Sequence, residues 1–336
     1  MIRPTLRGIV AVVAVLAAAG LAWLFGERAL NAIAAPTLVA LVAGVVQVLG
    51  ASDPEVERRP LRPGFPGESR TVALDVEGGS TVVDVSDAVG DGLDAEGNER
   101  SVAPPATMEY DLQYRRRGEH TLGPTTVRVR DVLGLFERTV TLDTETSVVV
   151  YPEVYSLGGG GNLSTILAET LSPEREEFDA LREYAPGDSL RDVDWKATAK
   201  RPDDLMVTEF AGREAEGSIT IAASATPRAI DQAAAATASI AVELRDAGVD
   251  VDVYAPDGDI STTDRQADQG AVLALLARTG HGQVDEDIWA SADVNVAGSD
   301  RDVTVTVGGQ TSSFRQWQTA QRDPLDSGRD GVVSAT

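Results

Sequence analysis

Side chains suited to acid–base or anion-binding chemistry are concentrated in one stretch of the sequence, residues 172–210. Both lysines of the chain, Lys196 and Lys200, lie there, and Lys196 is surrounded by arginine and aspartate. A lysine among carboxylates can act as a tuned base or bind an anion. The pattern favours the alternative, an ion-pair network around a buried Trp195 that docks a partner or the following domain. The residues assigned to this motif are Phe178, Arg182, Tyr184, Pro186, Gly187, Asp188, Arg191, Asp194, Trp195 and Lys196.

Composition excludes several other kinds of site. The chain of 336 residues has no cysteine, which rules out disulfides, thiolate metal ligands and cysteine nucleophiles. Its two histidines, His120 and His281, cannot build a multi-histidine metal cage, and no nucleophile signature accompanies either. A formal net charge of -24 argues against nucleic acid as a partner, since affinity for phosphates needs clustered cations. The glycine run at residues 158–161 lacks a following Lys-Ser/Thr pair, so we expect no nucleotide bound in cis.

The acidity of the chain needs no partner to explain it. Among 29 basic residues only two are lysines, so nearly all the positive charge is arginine. An acidic, lysine-poor composition is typical of proteins from a salt-rich, halophilic cytoplasm, where a carboxylate-rich surface stays soluble. We therefore interpret the charge as a solvation feature and not as a recognition surface.

Two uncharged apolar runs open the chain, at residues 8–25 and 32–49, each long enough to cross the hydrocarbon core as a helix. The link between them is short, so we predict a two-pass hairpin over residues 1–51 in the lipid bilayer of the cell membrane. Arg28 is the only basic residue in the link, and the positive-inside tendency then places the soluble domains in the cytoplasm. A cleaved signal peptide is the alternative, which the second run disfavours. The basic residues at the outer ends are Arg3, Arg7, Arg58, Arg59 and Arg62.

The next region, residues 55–155, alternates apolar and polar residues with period two, for example at residues 71–76 and 108–114. This pattern, broken by glycine and proline, predicts an antiparallel β-sandwich of immunoglobulin-like size. We predict a loop at residues 90–98, because nothing in GDGLDAEGN could pack, and a flexible linker at residues 156–171.

The motif is predicted to begin with a short helix, capped by serine and proline, that carries Phe178, Leu181 and Tyr184 on one face. Residues 211–310 then alternate strands with helices, which predicts a small parallel α/β sheet. The tail, residues 311–336, is predicted to start with a short helix and to continue as a disordered segment. The predicted strands are residues 218–222, 249–254 and 303–307, and the predicted helices are residues 228–247, 267–279 and 313–321.

The central motif also carries a specific resemblance. EFDALREYAPGDSLRDVDWKATAK followed by LMVTEF resembles the signature of the domain-of-unknown-function 58 family. The RG turn, GLF and VYP elements of residues 116–154 and the amino-terminal hairpin are similar to that family as well, so the resemblance covers residues 1–310. It implies a membrane-anchored protein with a von Willebrand factor A-like domain at its carboxyl end. It also implies a MoxR-type AAA+ ATPase as partner in protein maturation or complex assembly.

The resemblance predicts where a metal would bind and how that site has degenerated. In the von Willebrand A-like fold the loop after the first strand reads Asp-x-Ser-x-Ser and holds a divalent cation. The matching residues here are Ala222, Ser224 and Thr226, so the hydroxyls remain and the first carboxylate is gone. Hard cations need anionic oxygen ligands. We therefore expect no metal or other cofactor, with a weak Mg²⁺ site as the alternative.

Together these features predict a multi-domain protein with a transmembrane hairpin, an immunoglobulin-like sandwich and a von Willebrand A-like domain. The predicted function is a membrane-anchored, non-enzymatic adaptor that docks partner proteins. Two alternatives stay open, an envelope-linked enzyme that uses Lys196 with its neighbouring carboxylates, and a divalent-metal-dependent adhesion module.

Overall fold

The computed structural model describes residues 2–25, 31–78, 82–158, 218–262 and 268–322, and the backbone of residues 178–183 and 206–210. By its internal contacts the chain divides into two compact units, Met1–Glu153 and Val154–Thr336. Each unit is described by itself.

The first unit opens with a short strand, β1 (Ile2–Pro4), and two apolar helices, α1 (Leu6–Phe25) and α2 (Asn31–Gly50). Both helices are long and apolar enough to cross a membrane. Only 11% of the apolar window of α1 and 17% of that of α2 is buried, so their large side chains point outwards. The two predicted helices are confirmed as helices, and the exposure of their apolar faces distinguishes them from core helices of a soluble domain.

Nine further strands of this unit form two antiparallel sheets. One sheet has the order β1-β9-β8-β4-β6, with β10 also paired to β8, and the other has the order β2-β3-β7-β5. The strands are β2 (Glu55–Arg58), β3 (Ser69–Glu77), β4 (Val83–Val89), β5 (Leu93–Glu96), β6 (Glu99–Val102), β7 (Ala106–Tyr114), β8 (Gly118–Arg130), β9 (Phe136–Leu142) and β10 (Thr146–Val150).

The two sheets share one hydrophobic core, and we call them the β-sandwich. Along β3 and β7 every second side chain is buried, as the period-two pattern predicts. The loop predicted at residues 90–98 is wrong, because β5 forms a ladder with β7 in which Leu93 lies opposite Tyr114. Leu93 and Ala95 also pack against the core, so two apolar side chains hold this short strand.

Both ends of the helix pair are attached to the β-sandwich. Before α1, β1 pairs antiparallel with β9, and the Thr5 backbone N–H donates to the Leu135 carbonyl at 2.9 Å. The Thr5 hydroxyl oxygen accepts from the Gly8 N–H at 3.2 Å and so caps the first turn of α1. After α2, β2 pairs with β3. The sequence predicted the helices and missed the strand that precedes them.

The second unit contains a six-stranded mixed sheet in the order β16-β15-β14-β17-β18-β19. Its elements are β11 (Val154–Leu157), β12 (Phe178–Glu183), β13 (Met206–Phe210), β14 (Ile219–Ala225), α3 (Ile230–Asp246), β15 (Val251–Ala255), β16 (Gly258–Ser261), α4 (Gln269–Arg278), α5 (Glu286–Ser291), β17 (Val294–Gly298), β18 (Val303–Val307), β19 (Gln310–Ser313), a 3-10 turn (Phe314–Gln316) and β20 (Gln318–Arg322).

Only the three central strands of this sheet are parallel. The prediction of a parallel sheet is wrong for the outer strands, because β16, β18 and β19 each return from a neighbour as an antiparallel partner. The turn between β18 and β19 is Gly308-Gly309, both with positive φ, which is the backbone that a two-residue hairpin turn requires. A short turn such as Gly308-Gly309 therefore adds an antiparallel strand, which the alternation of strands and helices in the sequence does not predict.

Helix α3 packs on this sheet through an alanine-rich surface, and eleven of its 17 residues are buried. Ala233, Thr237, Ile240 and Leu244, which helical spacing places on one face, are among them. Gly248, with φ of +82°, follows the helix end, where glycine is favoured. The second predicted helix and the strands at residues 218–222, 249–254 and 303–307 are likewise confirmed, with shifts of a few residues.

Strands β11 and β20 pair antiparallel, so the stretch after the β-sandwich joins the end of the described chain. Ser156 and Leu157 of the predicted linker therefore lie in a strand, while residues 159–171 are outside the described residues. The helix predicted at residues 313–321 is wrong, since these residues form the end of β19, a single 3-10 turn and β20. Pairing with β11, which lies more than 160 residues earlier in the chain, decides this structure. The local periodicity of the sequence does not indicate this pairing.

Candidate functional site

The carboxyl ends of the parallel strands β14 and β17 meet at one edge of the mixed sheet, where α/β folds place their ligand sites. This edge holds the three residues predicted as a degenerate metal site. Ala222 is completely buried in β14. Ser224 lies near the end of the same strand, and Thr226 follows it.

A segment of the chain itself covers the end of β14, and we call residues 280–284 the strap. The backbone of Gly282 forms two hydrogen bonds with Ala225, at 2.9 and 3.0 Å. The Val284 N–H donates to the Ser224 hydroxyl oxygen at 3.1 Å. One of the two hydroxyls that the sequence assigns to the site is thus engaged by the strap.

The strap fits only because residue 282 is glycine. A Cβ at Gly282 would lie 2.8 Å from Cβ of Pro256, closer than real side chains approach. On its other side, the Gly280 N–H donates to a carboxylate oxygen of Asp257 at 2.5 Å. The strap is therefore held at Gly280 by the turn after β15 and at Val284 by Ser224 of β14, while Pro256 abuts its middle residue.

Between the end of β14 and the helices α3 and α4 lies a space of about 10 Å³, which holds at most about one water molecule. It is too small for a substrate or a cofactor. Its walls come from β14, α3, α4 and the turn after β15, and the lining residues are Ala223, Ser224, Ala225, Ile230, Ala233, Ala234, Pro256, Leu276 and Thr279.

The second hydroxyl of the predicted site meets a carboxylate that sequence reasoning missed. Thr226 Oγ1 donates to Asp300 Oδ1 at 2.8 Å, and Arg228 lies 3.5 Å from the same carboxylate. Asp300 follows β17, a strand that the sequence analysis did not identify, so its approach to β14 was not foreseen. The side chains of Arg228 and Asp300 are 82% and 54% exposed, and such solvated pairs contribute little stability.

Oxygen atoms that could contact a cation at this edge come from Ser224, Thr226 and Asp300. Within the parts of the chain that the structure describes, no group of three or more histidine, aspartate or glutamate side chains is placed to hold a metal. Nearby, a hydrogen bond from the Ser313 hydroxyl lowers the pKa of Asp302, helped by the Val303 N–H and by Arg315. The edge thus carries two hydroxyls and one exposed carboxylate, Asp300, which is paired with Thr226 and Arg228.

The central motif is described only in part. Residues Phe178–Glu183 form β12 and pair antiparallel with β13, with Arg182 opposite Val207. The helix predicted over Phe178 and Leu181 is therefore wrong, because these residues pair with the β-prone stretch MVTEF. The remaining motif residues lie outside the described residues, namely Tyr184, Pro186, Gly187, Asp188, Arg191, Asp194, Trp195 and Lys196. The role assigned to Lys196 stays a prediction.

A second polar cluster, missed by the sequence analysis, lies inside the β-sandwich. Arg58 of β2 and Asp87 of β4 form an ion pair at 2.6 Å, with side chains 2% and 0% exposed. Asp87 also accepts hydrogen bonds of 2.7 Å from the hydroxyls of Tyr110 and Thr125. Burial raises the pKa of Tyr110, and its hydrogen bond to Asp87 raises it further. Because these residues come from both sheets, the cluster fastens β2, the first strand after α2, across the core.

The signal for this cluster was present in the sequence. In the run Val83-Asp-Val-Ser-Asp87, the period-two alternation turns Val83, Val85 and Asp87 inwards, so an aspartate occupies a core position. A buried aspartate requires a cation or several donors. Arg58, considered in the sequence only for membrane orientation, supplies the cation.

Comparisons with known proteins give few constraints. No family model matches the chain. The protein called "Uncharacterized protein YeaD" of Bacillus subtilis is 30% identical over 140 residues, which is 40% of this chain and 35% of that protein. The chain thus matches about a third of the length of this curated relative.

Two solved structures were also found. The complex of zinc 2-glycoprotein with prolactin inducible protein from human seminal plasma has 14% identity and a TM-score of 0.23, covering 30% of this chain and 95% of that one. WR4, an MSP family member of C. elegans, has 9% identity and a TM-score of 0.21, covering 28% and 96%. These scores are too low to establish a shared fold. What the structure defines is a chain with two apolar helices attached to a β-sandwich, followed by a mixed α/β sheet, and its family stays a prediction.

Proposed function

We propose that this protein is a membrane-anchored, non-enzymatic adaptor that docks partner proteins, with a MoxR-type AAA+ ATPase as its partner. The observation that carries the proposal is the strap. At the sheet edge where an α/β enzyme or a metal-dependent module would bind its ligand, the protein's own backbone occupies Ser224 and Ala225. An edge closed in this way favours contact through the outer surface over chemistry in a pocket.

The order of strands supports a von Willebrand A-like second domain. Three parallel strands with β14 at the centre, flanked by antiparallel strands, agree with the predicted place of the degenerate site at the end of β14. The paired sheets of the first unit, with β8 at the centre of one of them, likewise support the immunoglobulin-like assignment.

The attachment of β1 and β2 supports a two-pass membrane anchor. Strand β1 precedes α1 and β2 follows α2, and both belong to the β-sandwich. A leader that is removed would not contribute a strand to the sheet, so the first helix acts as an anchor in this proposal. In this proposal the arginines at the outer ends favour a cytoplasmic location of the soluble domains.

The partner proposal is tested by capture from native membranes at high salt, with and without ATP, using the full chain as bait. We expect an AAA+ ATPase to be recovered, and Trp195→Ala to reduce the recovery. Trp289→Ala, a matched change in α5, should leave it unchanged. Recovery of no ATPase under either nucleotide condition contradicts the proposed partner.

The metal-free part of the proposal is tested at Ala222. Calorimetric titration of the detergent-solubilised full chain with MgCl₂ should give only heats of dilution, because no carboxylate replaces Ala222. Ala222→Asp places an uncompensated charge at a fully buried position and should lower stability by several kcal/mol. Added Mg²⁺ should not restore that stability, since the strap already engages Ser224. Tight Mg²⁺ uptake by the unmodified protein contradicts the proposal.

A further inference from the structure

An exposed apolar turn lies beside the two helices, and we call residues 131–136, between β8 and β9, the tip. Val132 and Leu133 at its apex are 76% and 54% exposed. In the described part of the chain outside α1 and α2, the only other exposed large apolar side chain is Val82. Central positions of turns usually carry polar residues or glycine. Two adjacent exposed apolar residues at such positions are therefore unusual for a surface in water.

The tip is held in a fixed conformation. The Gly134 N–H donates to the Asp131 carbonyl at 2.9 Å, which closes the turn. The carboxylate of Asp131, itself 5% exposed, accepts from the N–H groups of Leu133 at 3.0 Å and Phe136 at 2.6 Å. Gly134 adopts φ of +66°, which favours glycine there. Val132 and Leu133 are thus presented outwards by a rigid support.

The tip contacts both helices. The Val132 N–H donates to Gln47 Oε1 of α2 at 3.1 Å. The Thr5 hydroxyl, at the start of α1, donates to the Gly134 carbonyl at 2.6 Å. Gly44 brings α2 close, since a Cβ there would lie 3.3 Å from the Asp131 carboxylate.

These contacts fix the depth of the tip along the helices. Gln47 and Gly44 lie three and six residues before the end of α2 at Gly50. At a rise of about 1.5 Å per residue, they lie roughly 4.5 and 9 Å inside the helix end. Interfacial apolar groups enter a bilayer to a depth of about 5–10 Å, at the boundary between headgroups and acyl chains. The tip lies at that level beside the apolar span.

One arginine is close to the tip, because a Cβ at Gly134 would lie 3.9 Å from Arg7 Nη1. Two further arginines of the same end of the β-sandwich lie beside carboxylates. Arg138 forms an ion pair with Asp53 at 2.9 Å, and Arg3 lies opposite Glu137 in the pairing of β1 with β9. A cation such as Arg7 at this level matches the phosphates of a headgroup layer.

We infer that the tip is a third membrane contact, with Val132 and Leu133 inserted at the headgroup–acyl boundary of the bilayer that α1 and α2 span. The inference rests on the proposed membrane anchor. Its physical basis is that an exposed apolar apex and a fixed depth along the helices coincide at one place, with Arg7 beside them. The contact would prevent the β-sandwich from tilting about the helices.

The experiment uses the full chain in phosphatidylcholine vesicles with a single introduced cysteine, which is unique because the chain has none. Leu133→Cys carries an environment-sensitive fluorophore, and quenching by acyl-chain nitroxide lipids is compared with quenching by aqueous iodide. Leu16→Cys, at the middle of α1, reports on the span, and Val82→Cys is the exposed apolar control. We expect blue-shifted emission and lipid quenching at positions 16 and 133, and iodide quenching at position 82.

The outcomes separate the two proposals. Iodide quenching at position 16 overturns the membrane anchor itself. Lipid quenching at position 16 with iodide quenching at position 133 leaves the anchor in place and overturns the inference about the tip. Protection of position 133 from both quenchers shows that protein covers the tip, for example a second copy of the chain, and also overturns the inference.

Discussion

The two units treat polar groups in their interiors in opposite ways. The β-sandwich buries full charges, Arg58 and Asp87, and surrounds them with hydroxyls. The α/β unit buries neutral hydroxyls along α3, and these use the helix backbone, as Thr237 donates to the Ala233 carbonyl at 2.9 Å. Ala222 of β14, where the family resemblance predicts a degenerate metal site, is uncharged and fully buried.

The difference shows how the buried groups of each unit fix the positions of its strands and helices. Buried charges are costly to desolvate, and they define one arrangement because only one set of partners compensates them. The ion pair therefore fixes the segment after α2 in the β-sandwich. In the second unit a neutral hydroxyl makes a link of this kind, because Ser239 of α3 accepts from the Tyr155 N–H of β11 at 2.9 Å. The alanine-rich surface of α3 packs on the sheet beside it. We therefore expect the stability of the first unit to fall most when a buried charge is removed. The stability of the second unit should fall most when side-chain volume is added to its core.

The largest effect is expected for Asp87→Asn. The change leaves Arg58 buried without a counter-charge and should lower the free energy of unfolding of the β-sandwich by about 3–5 kcal/mol. Hydrogen exchange of peptides from β4 and β8, in the detergent-solubilised full chain, measures this locally. Asp84→Asn, on the same strand with a partly exposed pair to Arg130, should cost less than about 1 kcal/mol.

A double variant sharpens this test. Arg58→Met with Asp87→Leu removes both charges together and should recover much of the stability lost by Asp87→Asn alone. Equal losses in Asp87→Asn and Asp84→Asn would mean that the buried pair has no special role, and the contrast between the units would fail.

An intermediate effect is expected for Gly298→Ala in the second unit. The added Cβ would lie 2.9, 3.0 and 3.1 Å from the Cβ atoms of Ala225, Ala229 and Ala233. Overpacking of this kind costs about 1–3 kcal/mol, measured as a lower melting temperature of the α/β unit. Gly50→Ala adds the same methyl where no atom lies within 4 Å and should change stability by less than about 0.5 kcal/mol. If Gly298→Ala leaves the melting temperature unchanged, the alanine packing is loose and the prediction is wrong.

The smallest effect concerns Asp302, an exposed carboxylate of the second unit. Its pKa is lowered in the folded state, so its ionised form stabilises the fold above the ordinary value of 3.8, and the stabilisation is lost as pH falls through the lowered pKa. Asp302→Asn should reduce stability slightly at neutral pH and weaken the loss of stability in acid. Ser313→Ala, which removes the largest cause of the shift, should reproduce part of this change. Identical acid unfolding curves for the unmodified protein and both variants contradict the prediction.

The sequence predicted those helices and strands whose apolar residues recur with a strong local period. The apolar runs of α1 and α2, the alternation in β3 and β7, and the inward face of α3 are of this kind. The errors occurred where a distant partner decides the structure, as for β5, β12 and β20.

The candidate site shows the same division. The degenerate metal site at Ala222 is a prediction that rests on the family resemblance. The sequence does not predict the strap, because Gly282 pairs with Ala225 from more than fifty residues away and no local pattern indicates this contact. Asp87 could have been predicted from its inward position in an alternating strand, whereas its partner Arg58 could not, since that pairing depends on how two sheets face each other.

The pairing of β1 with β9 has a consequence for how the protein is made. Thr5 and Leu135, which join these elements, are 130 residues apart, so both helices leave the ribosome long before β9 exists. In the proposed membrane anchor, a chain in which only one of the two helices crosses the bilayer would leave β1 on the far side of the bilayer from β9. The sheet could then never be completed. Completion of this sheet would therefore depend on correct membrane insertion. A misinserted chain would expose an unpaired strand edge, which cellular quality control can recognise.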